Sequence, residues 1–399
     1  MSAQEVQNDT HLTDGVFKAP SAVFEGGKKE FQPWHKPRKQ YIRTFQWDKE
    51  ARELIDEIEF RDSRPLSYMG LPGEDMFDIR ALSKICLEKD LEIKYLGFNS
   101  ASDNGRATEQ TISENEMIHI PNVHKASKTI IDYIQRVANK DSQAYNTMAS
   151  MGPFDLINLD LCSSVAQMAQ AHNTGNYRLF DAIYQILNYQ TETRIQPWIL
   201  FLTTRGEQAI VNPNDWEKLW NCLHENIQEY ADFRSKLEGL VGCPLGVCNS
   251  VDDLRLEVYK FVQLFSVGVG KWLIKTMMSA EPKCTVTMLD SYCYRVSTSR
   301  NPNMISAAFL FRPFTRPPEN IGNLVREEVQ GKPSEEICLV DLECSLVDTV
   351  SNLKDVDLLL HQNNRVHDQM VAETKGLLKQ ARYNIDDYNT WEQRNQLVI

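Results

Sequence analysis

The chain has 399 residues, enough for roughly two to three domains. With 42% apolar and 25% charged residues it has the composition of a folded globular protein, which excludes wholesale disorder, collagen-like repeats and a membrane-embedded body. Lys plus Arg number 43 against 55 Asp plus Glu, a net charge of −12, so a surface that coats nucleic acid over its whole face is excluded while a local basic site is not.

The first fifteen residues are polar and lack the apolar core of a signal peptide, and no window approaches the run of about 18 apolar residues that a spanning helix needs. Even the most apolar stretch, residues 261–278, is interrupted by Gln263, Ser266, Lys271 and Lys275. Nine scattered cysteines, an odd count, fit reduced thiols better than a disulfide framework. These features predict a cytoplasmic protein with no membrane contact.

Residues 1–46 carry little regular hydrophobic period and several turn formers, and read as an extended arm. The arm holds the one basic stretch of the chain: Lys28, Lys29, Lys36, Arg38, Lys39 and Arg43, interleaved with Trp34, His35 and Tyr41. Cations for phosphates beside aromatic faces for bases are the means of single-stranded nucleic-acid binding. That makes Trp34, Lys36, Arg38, Lys39, Tyr41 and Arg43 candidate nucleic-acid contacts. The same residues could equally dock the arm on the acidic body, and on a chain of net −12 the docking reading carries more weight.

Residues 47–60 space Ala51, Leu54, Ile55 and Ile58 as one face of a helix. From Pro65 the pattern alternates short apolar runs with amphipathic stretches. The runs 65–70, 93–98, 117–121, 154–161 and 197–204 read as strands buried on both faces, separated by helices over 74–89, 125–139 and 178–190. Strand and helix in repeated alternation imply a parallel sheet. Two later runs, 284–296 and 304–314, are joined by seven turn-forming residues. That is too short for a parallel crossover of about a dozen residues, so they form an antiparallel hairpin. Residues 205–260 form a helical insertion. From 315 onward the chain becomes a mostly helical appendage, with a long polar helix near 364–382 and a tail at 375–391 that offers an apolar face to a protein partner.

Five parallel strands closed by a terminal antiparallel hairpin resemble the class I S-adenosylmethionine-dependent methyltransferase fold. The resemblance covers residues 60–314 within a domain running from 47 to 314. It implies an α/β doubly wound sheet and S-adenosylmethionine as the cofactor. In that family a glycine-rich turn follows the first strand, and here Gly70-Leu71-Pro72-Gly73 takes the place, followed by Glu74 and Asp75. Glycines suit a turn where ligand approaches backbone, although GxxG replaces the usual three alternating glycines, and a plain strand-to-helix turn accounts for the same residues. Asn99 stands at the end of the second strand where the family places a ribose-binding acid; it serves either as that ligand or as a turn residue. The third strand, read at 117–121, ends at Pro121-Asn122 without the acid that often lies beside the adenine.

The fourth strand carries Asp155 at its start and Asp160 near its carboxyl end, where ligands of open parallel sheets bind. A carboxylate in an apolar run is costly unless paired or functional. Asp160 is thus the candidate both for cofactor binding and for orienting or deprotonating an acceptor, against the plainer role of a helix cap. Asp160-Leu161-Cys162-Ser163 lacks the prolines and aromatic of base-amino methyltransferases. Cys162 is a nucleophile only with a base such as His172 beside it, and a buried inert thiol is the commoner case.

Cys222, His224, Cys243 and Cys248 match zinc spacing poorly, and no metal is expected. The arm with the GLPGED and INLDLC segments is also similar to uncharacterised bacterial methyltransferase-like proteins. Two functions follow: methyl transfer from S-adenosylmethionine, or a catalytically eroded scaffold or recognition subunit of a bacterial nucleic-acid-associated complex, of which defence systems are one class.

Overall fold

The computed structural model describes residues 30–58, 60, 64–100, 106–167, 176–248, 256–296, 299–314 and 338–395. Lys28, Lys29, His172 and the start of the predicted appendage, 315–337, lie outside them. A short 3-10 turn at Pro33–His35 leads into α1, Pro37–Ile42, then a π-helical segment at Arg43–Asp48, then α2, Lys49–Glu57. The later half of the predicted arm is therefore helical rather than extended. Pro37 starts the helix with its fixed φ at a position where its missing N–H is not needed, and Ile42 and Trp47 are buried in the body's core.

The alternating portion follows: β1 Leu66–Gly70, α3 Phe77–Glu88, β2 Ile93–Phe98, α4 Arg106–Ile118, β3 Lys128–Ile130, α5 Gln143–Met151, β4 Leu156–Asp160, α6 Leu179–Thr193 and β5 Trp198–Arg205. The expected third strand at 117–121 is instead the end of α4 and its exit turn. The true third strand sits inside the stretch predicted to be helical, 125–139, where only a 3-10 turn at Ile134–Ala138 is formed. Met117 and Ile118 belong to α4's period, and a three-residue strand with half-exposed side chains carries too little pattern to be seen.

Helices α7, Pro213–Glu229, and α8, Ala231–Val241, fill the predicted insertion, and α9, Val258–Met278, returns the chain to the sheet. The last sheet strands are β6 Cys284–Met288, β7 Tyr292–Tyr294 and β8 Met304–Pro313, with both β6 and β7 antiparallel to β8. The C-terminal region adds α10 Leu339–Ser351, β9 Lys354–Asp355, α11 Val356–Gln362, α12 Asn364–Gln380 and α13 Tyr388–Arg394. The tail read as one helix over 375–391 breaks between α12 and α13, with Arg382 in the left-handed region at φ 67°.

The nine strands form one sheet in the order β3-β2-β1-β4-β5-β8-β7-β9, with β6 also on β8. Strands β1 to β5 are mutually parallel and β8 is antiparallel to β5. The α/β fold with a parallel sheet and antiparallel closing strands is the one expected. Alternation divides the strand residues between two cores. Met69, Leu96, Ile157 and Leu200 join the face covered by α6 and α9, while Tyr68, Tyr95, Leu156 and Ile199 join the face covered by α2 and α3. The C-terminal region does not stand apart: β9 extends the sheet beside β7 and α12 packs on α1. No helix among the described residues is long and apolar enough to cross a membrane.

Asp155, fully buried at the amino end of β4, accepts from Arg64 at 2.8 and 2.9 Å, Arg194 at 2.7 Å and the Ser67 N–H at 2.7 Å. It holds β1, β4 and the end of α6 together at the edge away from the site. Removing one member of a buried ion network leaves the others uncompensated, so Asp155→Ala is expected to lower unfolding stability by about 3 kcal/mol in denaturant titration.

Candidate functional site at the carboxyl edge

The register aligns the carboxyl ends of three strands. Gly70 pairs with Gly97 on one side and with Asn158 on the other, and Asp160 lies two residues further along β4, opposite Thr203. Each glycine has a different reason. A Cβ on Gly70 would collide with the Tyr68 ring, and one on Gly97 would come within 2.7 Å of Pro72 and 2.8 Å of the Thr129 hydroxyl. Gly73 is exposed, and a Cβ there would meet nothing within 4 Å. Packing therefore explains Gly70 and Gly97, and leaves Gly73 as an open step in the turn. Asn99 donates its amide to the Pro72 carbonyl at 3.3 Å, which ties the end of β2 to this turn. The structure thus brings Gly70, Gly73 and Asn99 together, with Asp160 on the same edge.

The true third strand changes one expectation. After Ile130 comes Asp132, half-buried, its carboxylate capping the Tyr133 N–H at 2.8 Å and pairing with Arg136 at 3.3 Å. An acid does follow β3. The sequence pattern, which puts the third strand at 117–121, gives no sign of it.

The turn after β1 is clasped from both ends of the chain. Asp75, buried, accepts from His35 Nε2 at 3.2 Å and from the Tyr383 hydroxyl at 3.1 Å. His35 Nδ1 accepts from the Gln32 N–H at 3.0 Å, which places a ring proton on Nε2, facing Asp75. Tyr388 donates its hydroxyl to the His35 carbonyl at 2.6 Å, and Phe31 packs on Tyr383, Tyr388 and Trp391. His367 of α12 meets Glu392 of α13 at 3.4 Å and closes this clasp.

The arm's cations are turned inward. Lys39, almost fully buried, reaches Asp160 at 2.5 Å and lies 5.3 Å above the Trp47 ring. Burial pushes its ammonium down, but the Asp160 carboxylate and Tyr294 outweigh it and the pKa is raised. Arg38 pairs with Asp357 at 3.1 Å and donates to the Arg295 carbonyl. Lys36 donates to the Asn395 carbonyl at 2.7 Å, Tyr41 packs on Phe45 and Tyr292, and Trp34 lies edge-on to His35. Of the six residues read as nucleic-acid contacts, five are engaged in these contacts within the chain. The charge offered to phosphates neutralises the protein's own carboxylates, which is the docked alternative.

Arg43 is the exception. It sits in the π-helical segment, a distortion that often marks functional positions. Its guanidinium is buried 5.3 Å from the Phe77 ring, with Nε and Nη1 lacking hydrogen-bond partners. Burial lowers its pKa, opposed by Asp160 and Asp78. Beneath it the Tyr68 hydroxyl donates to Asp78, and burial raises both their pKa values. Asn158 Oδ1 also has no partner. Unmatched buried polar atoms beside buried charges are a feature that functional sites share.

Cys162 is exposed rather than buried, as the plainer reading had it, and the other thiols are reduced. Among the described residues no three His, Cys, Asp or Glu side chains gather as a metal site. Cys248 donates to the Pro244 carbonyl and His224 pairs with Gln228 instead.

Strand order and antiparallel closure define a protein of the class I methyltransferase fold. The chain belongs to the PP_RS20740-like family, whose model matches residues 28–393. No curated protein sequence matches it. Among solved structures it is similar to a candidate class I S-adenosylmethionine-dependent methyltransferase (lmo1582) from Listeria monocytogenes, at 10% identity and TM-score 0.34, covering 81% of this chain and 73% of that one. It is also similar to the S-adenosylhomocysteine-bound methyltransferase PaMTH1 of Podospora anserina, at 13% identity and TM-score 0.27, covering 69% and 88%. Both overlaps are loose, and the fold assignment stands on the strand order itself.

Lys39→Met leaves Asp160 without its ammonium and is expected to cost about 2 kcal/mol of stability. Lys39→Met combined with Asp160→Leu should recover most of that loss in a double-mutant cycle by denaturant titration. The raised pKa of His367, caused first by Glu392, gives stability that is fully present below pH 6.5, the ordinary histidine value. That contribution fades as pH rises through the elevated folded value. The unfolding free-energy gap between wild type and His367→Gln should accordingly be widest near pH 6, where the partner carboxylates are still ionised, at about 0.5–1 kcal/mol, and close toward alkaline pH.

Proposed function

We propose that the protein binds S-adenosylmethionine across the carboxyl edge and transfers its methyl group to an acceptor. The observation that carries the reading is the open step at Gly73 in the Asn99-braced turn, at the strand edge where Arg43 and Asn158 hold unmatched buried polar atoms. The residues fit such a cofactor: Gly70 to Gly73 supply backbone a ligand can approach, Asn99 a donor and acceptor for hydroxyls, and Asp132 and Asp160 carboxylates on either side. The cofactor, when bound, supplies an electrophilic methyl group. The chain's own residues align the acceptor, and Asp160 orients it or takes its proton at the carboxylate once Lys39 releases that oxygen.

A second reading is favoured by the arm itself. Lys39 on Asp160 and Arg43 above Asp78 occupy the space over β4 with the protein's own charges, as in a scaffold whose site has closed. In that reading the solvent face of α12, where Asp368 is largely exposed, is the surface for a protein partner, and nucleic acid reaches residues 34–43 only by displacing them.

Calorimetry with S-adenosylmethionine and S-adenosylhomocysteine separates the two. The first reading expects binding that Gly73→Val weakens at least tenfold while leaving Tm nearly unchanged, since a Cβ at this exposed position meets nothing within 4 Å. Absence of binding up to about 1 mM in wild type overturns it. Binding that appears only in Lys39→Ala would favour the closed scaffold.

A further inference from the structure

A cavity lies away from the carboxyl edge, where α6, α7 and α9 meet. It holds about 550 Å³, within the range of small-molecule sites. Its walls are aromatic. Phe180 and Trp272 meet edge to face at 4.9 Å, and Tyr177 and Tyr184 line it too, Tyr184 being half exposed. Phe180 and Trp272 pack against the core on one side and remain only partly buried, whereas Trp216 and Trp220 are buried.

The polar lining is specific. Asp215, in the first turn of α7, is 4% exposed; its Oδ1 accepts from Arg178 at 2.5 Å, while Oδ2 has no partner. Gln185 on α6 likewise has an unmatched Oε1. Both unmatched atoms are acceptors, and each carries the cost of burial without the bond that repays it. A ligand completing the site brings N–H or O–H donors to these oxygens. Charge narrows the class further: Arg178 and the exposed Lys218 cancel Asp181 and Asp215, so the lining attracts neither a cation nor an anion strongly. A neutral planar ring with N–H groups on its edge, stacked on aromatic faces, satisfies all three features.

We propose that this cavity binds an amino-bearing nucleobase, with the ring against the Phe180 and Trp272 walls and its amino edge toward Asp215 and Gln185. The base belongs either to a free nucleoside or to an unpaired position of a single strand, with Lys218 available to a phosphate. The proposal stands independently of the cofactor reading, because it concerns different residues.

The test is calorimetry and saturation-transfer NMR on the full chain with cytidine, adenosine, guanosine and uridine. The amino-bearing bases should bind, with uridine at least tenfold weaker. Cytidine serves for the variants, because the proposed cofactor carries adenine. Asp215→Asn and Trp272→Leu should each weaken cytidine at least tenfold. Gln185→Leu, at a half-exposed position, keeps the test open if either variant fails to fold and should weaken it similarly. Gly73→Val should leave cytidine binding intact. A salt-dependent preference for single-stranded oligocytidylate over cytidine assigns the base to a nucleic acid, and equal affinity assigns it to a free nucleoside; either supports the site. No nucleoside binding at millimolar concentration, binding unchanged in folded variants, or loss in Gly73→Val instead would overturn it.

Discussion

The ion pair between Lys39 and Asp160 organises the carboxyl edge of this protein. A carboxylate at the end of a buried parallel strand must find a partner or remain open to a ligand. Here the partner comes from α1, which precedes the sheet in the chain and lies across its edge. With that contact made, Arg38 falls beside Asp357, Arg43 above Asp78, and His35 against Asp75. Each contact joins the arm to a different part of the molecule: the C-terminal helices, the first helix of the sheet domain and the turn that follows β1.

This arrangement ties the candidate site to both ends of the chain. The turn holding Gly70 to Gly73 continues into Asp75, which is held at once by His35 from the N-terminal side and Tyr383 from the C-terminal side. Any ligand approaching Gly73 meets a turn whose far end is already fixed. Pre-organisation of that kind lowers the ordering cost of binding. The same contacts set the Lys39 ammonium on Asp160, whose side chain stays partly exposed, so use of the paired oxygen depends on release by α1. Arg43 keeps buried polarity at that point, while the cavity of Asp215 and Gln185 holds its own unmatched acceptors on the other face of the sheet.

Much of the architecture was legible residue by residue. The runs at 66–70, 93–98, 156–160 and 198–205 have the continuous apolar character of strands covered on both faces, and the short link before Met304 required an antiparallel partner. The third strand was not legible, because three residues with partly exposed side chains impose no period while the end of α4 mimics one. That misplacement hid Asp132. The arm's helix was missed for a related reason: its buried residues include Arg38, Lys39 and Arg43, whose burial depends on distant carboxylates rather than on apolar spacing.

The sequence by itself determined the alternation of elements, the parallel sheet with its antiparallel closure and the residues at the strand ends, because hydrophobic period and turn chemistry act over a few neighbouring positions. It also held both uses of the basic segment, phosphate contact and internal docking. Only the tertiary structure shows the docked contacts that Arg38 and Lys39 make with Asp357 and Asp160, since the worth of a charge depends on what lies within a few ångströms of it. Lys39 and Asp160 are 121 positions apart, and His35 and Tyr383 still further, so no local pattern could show that they meet. The convergence of Asn99 with the Gly70 turn, the unmatched nitrogens of Arg43 and the aromatic cavity between α6 and α9 are consequences of the same long-range packing.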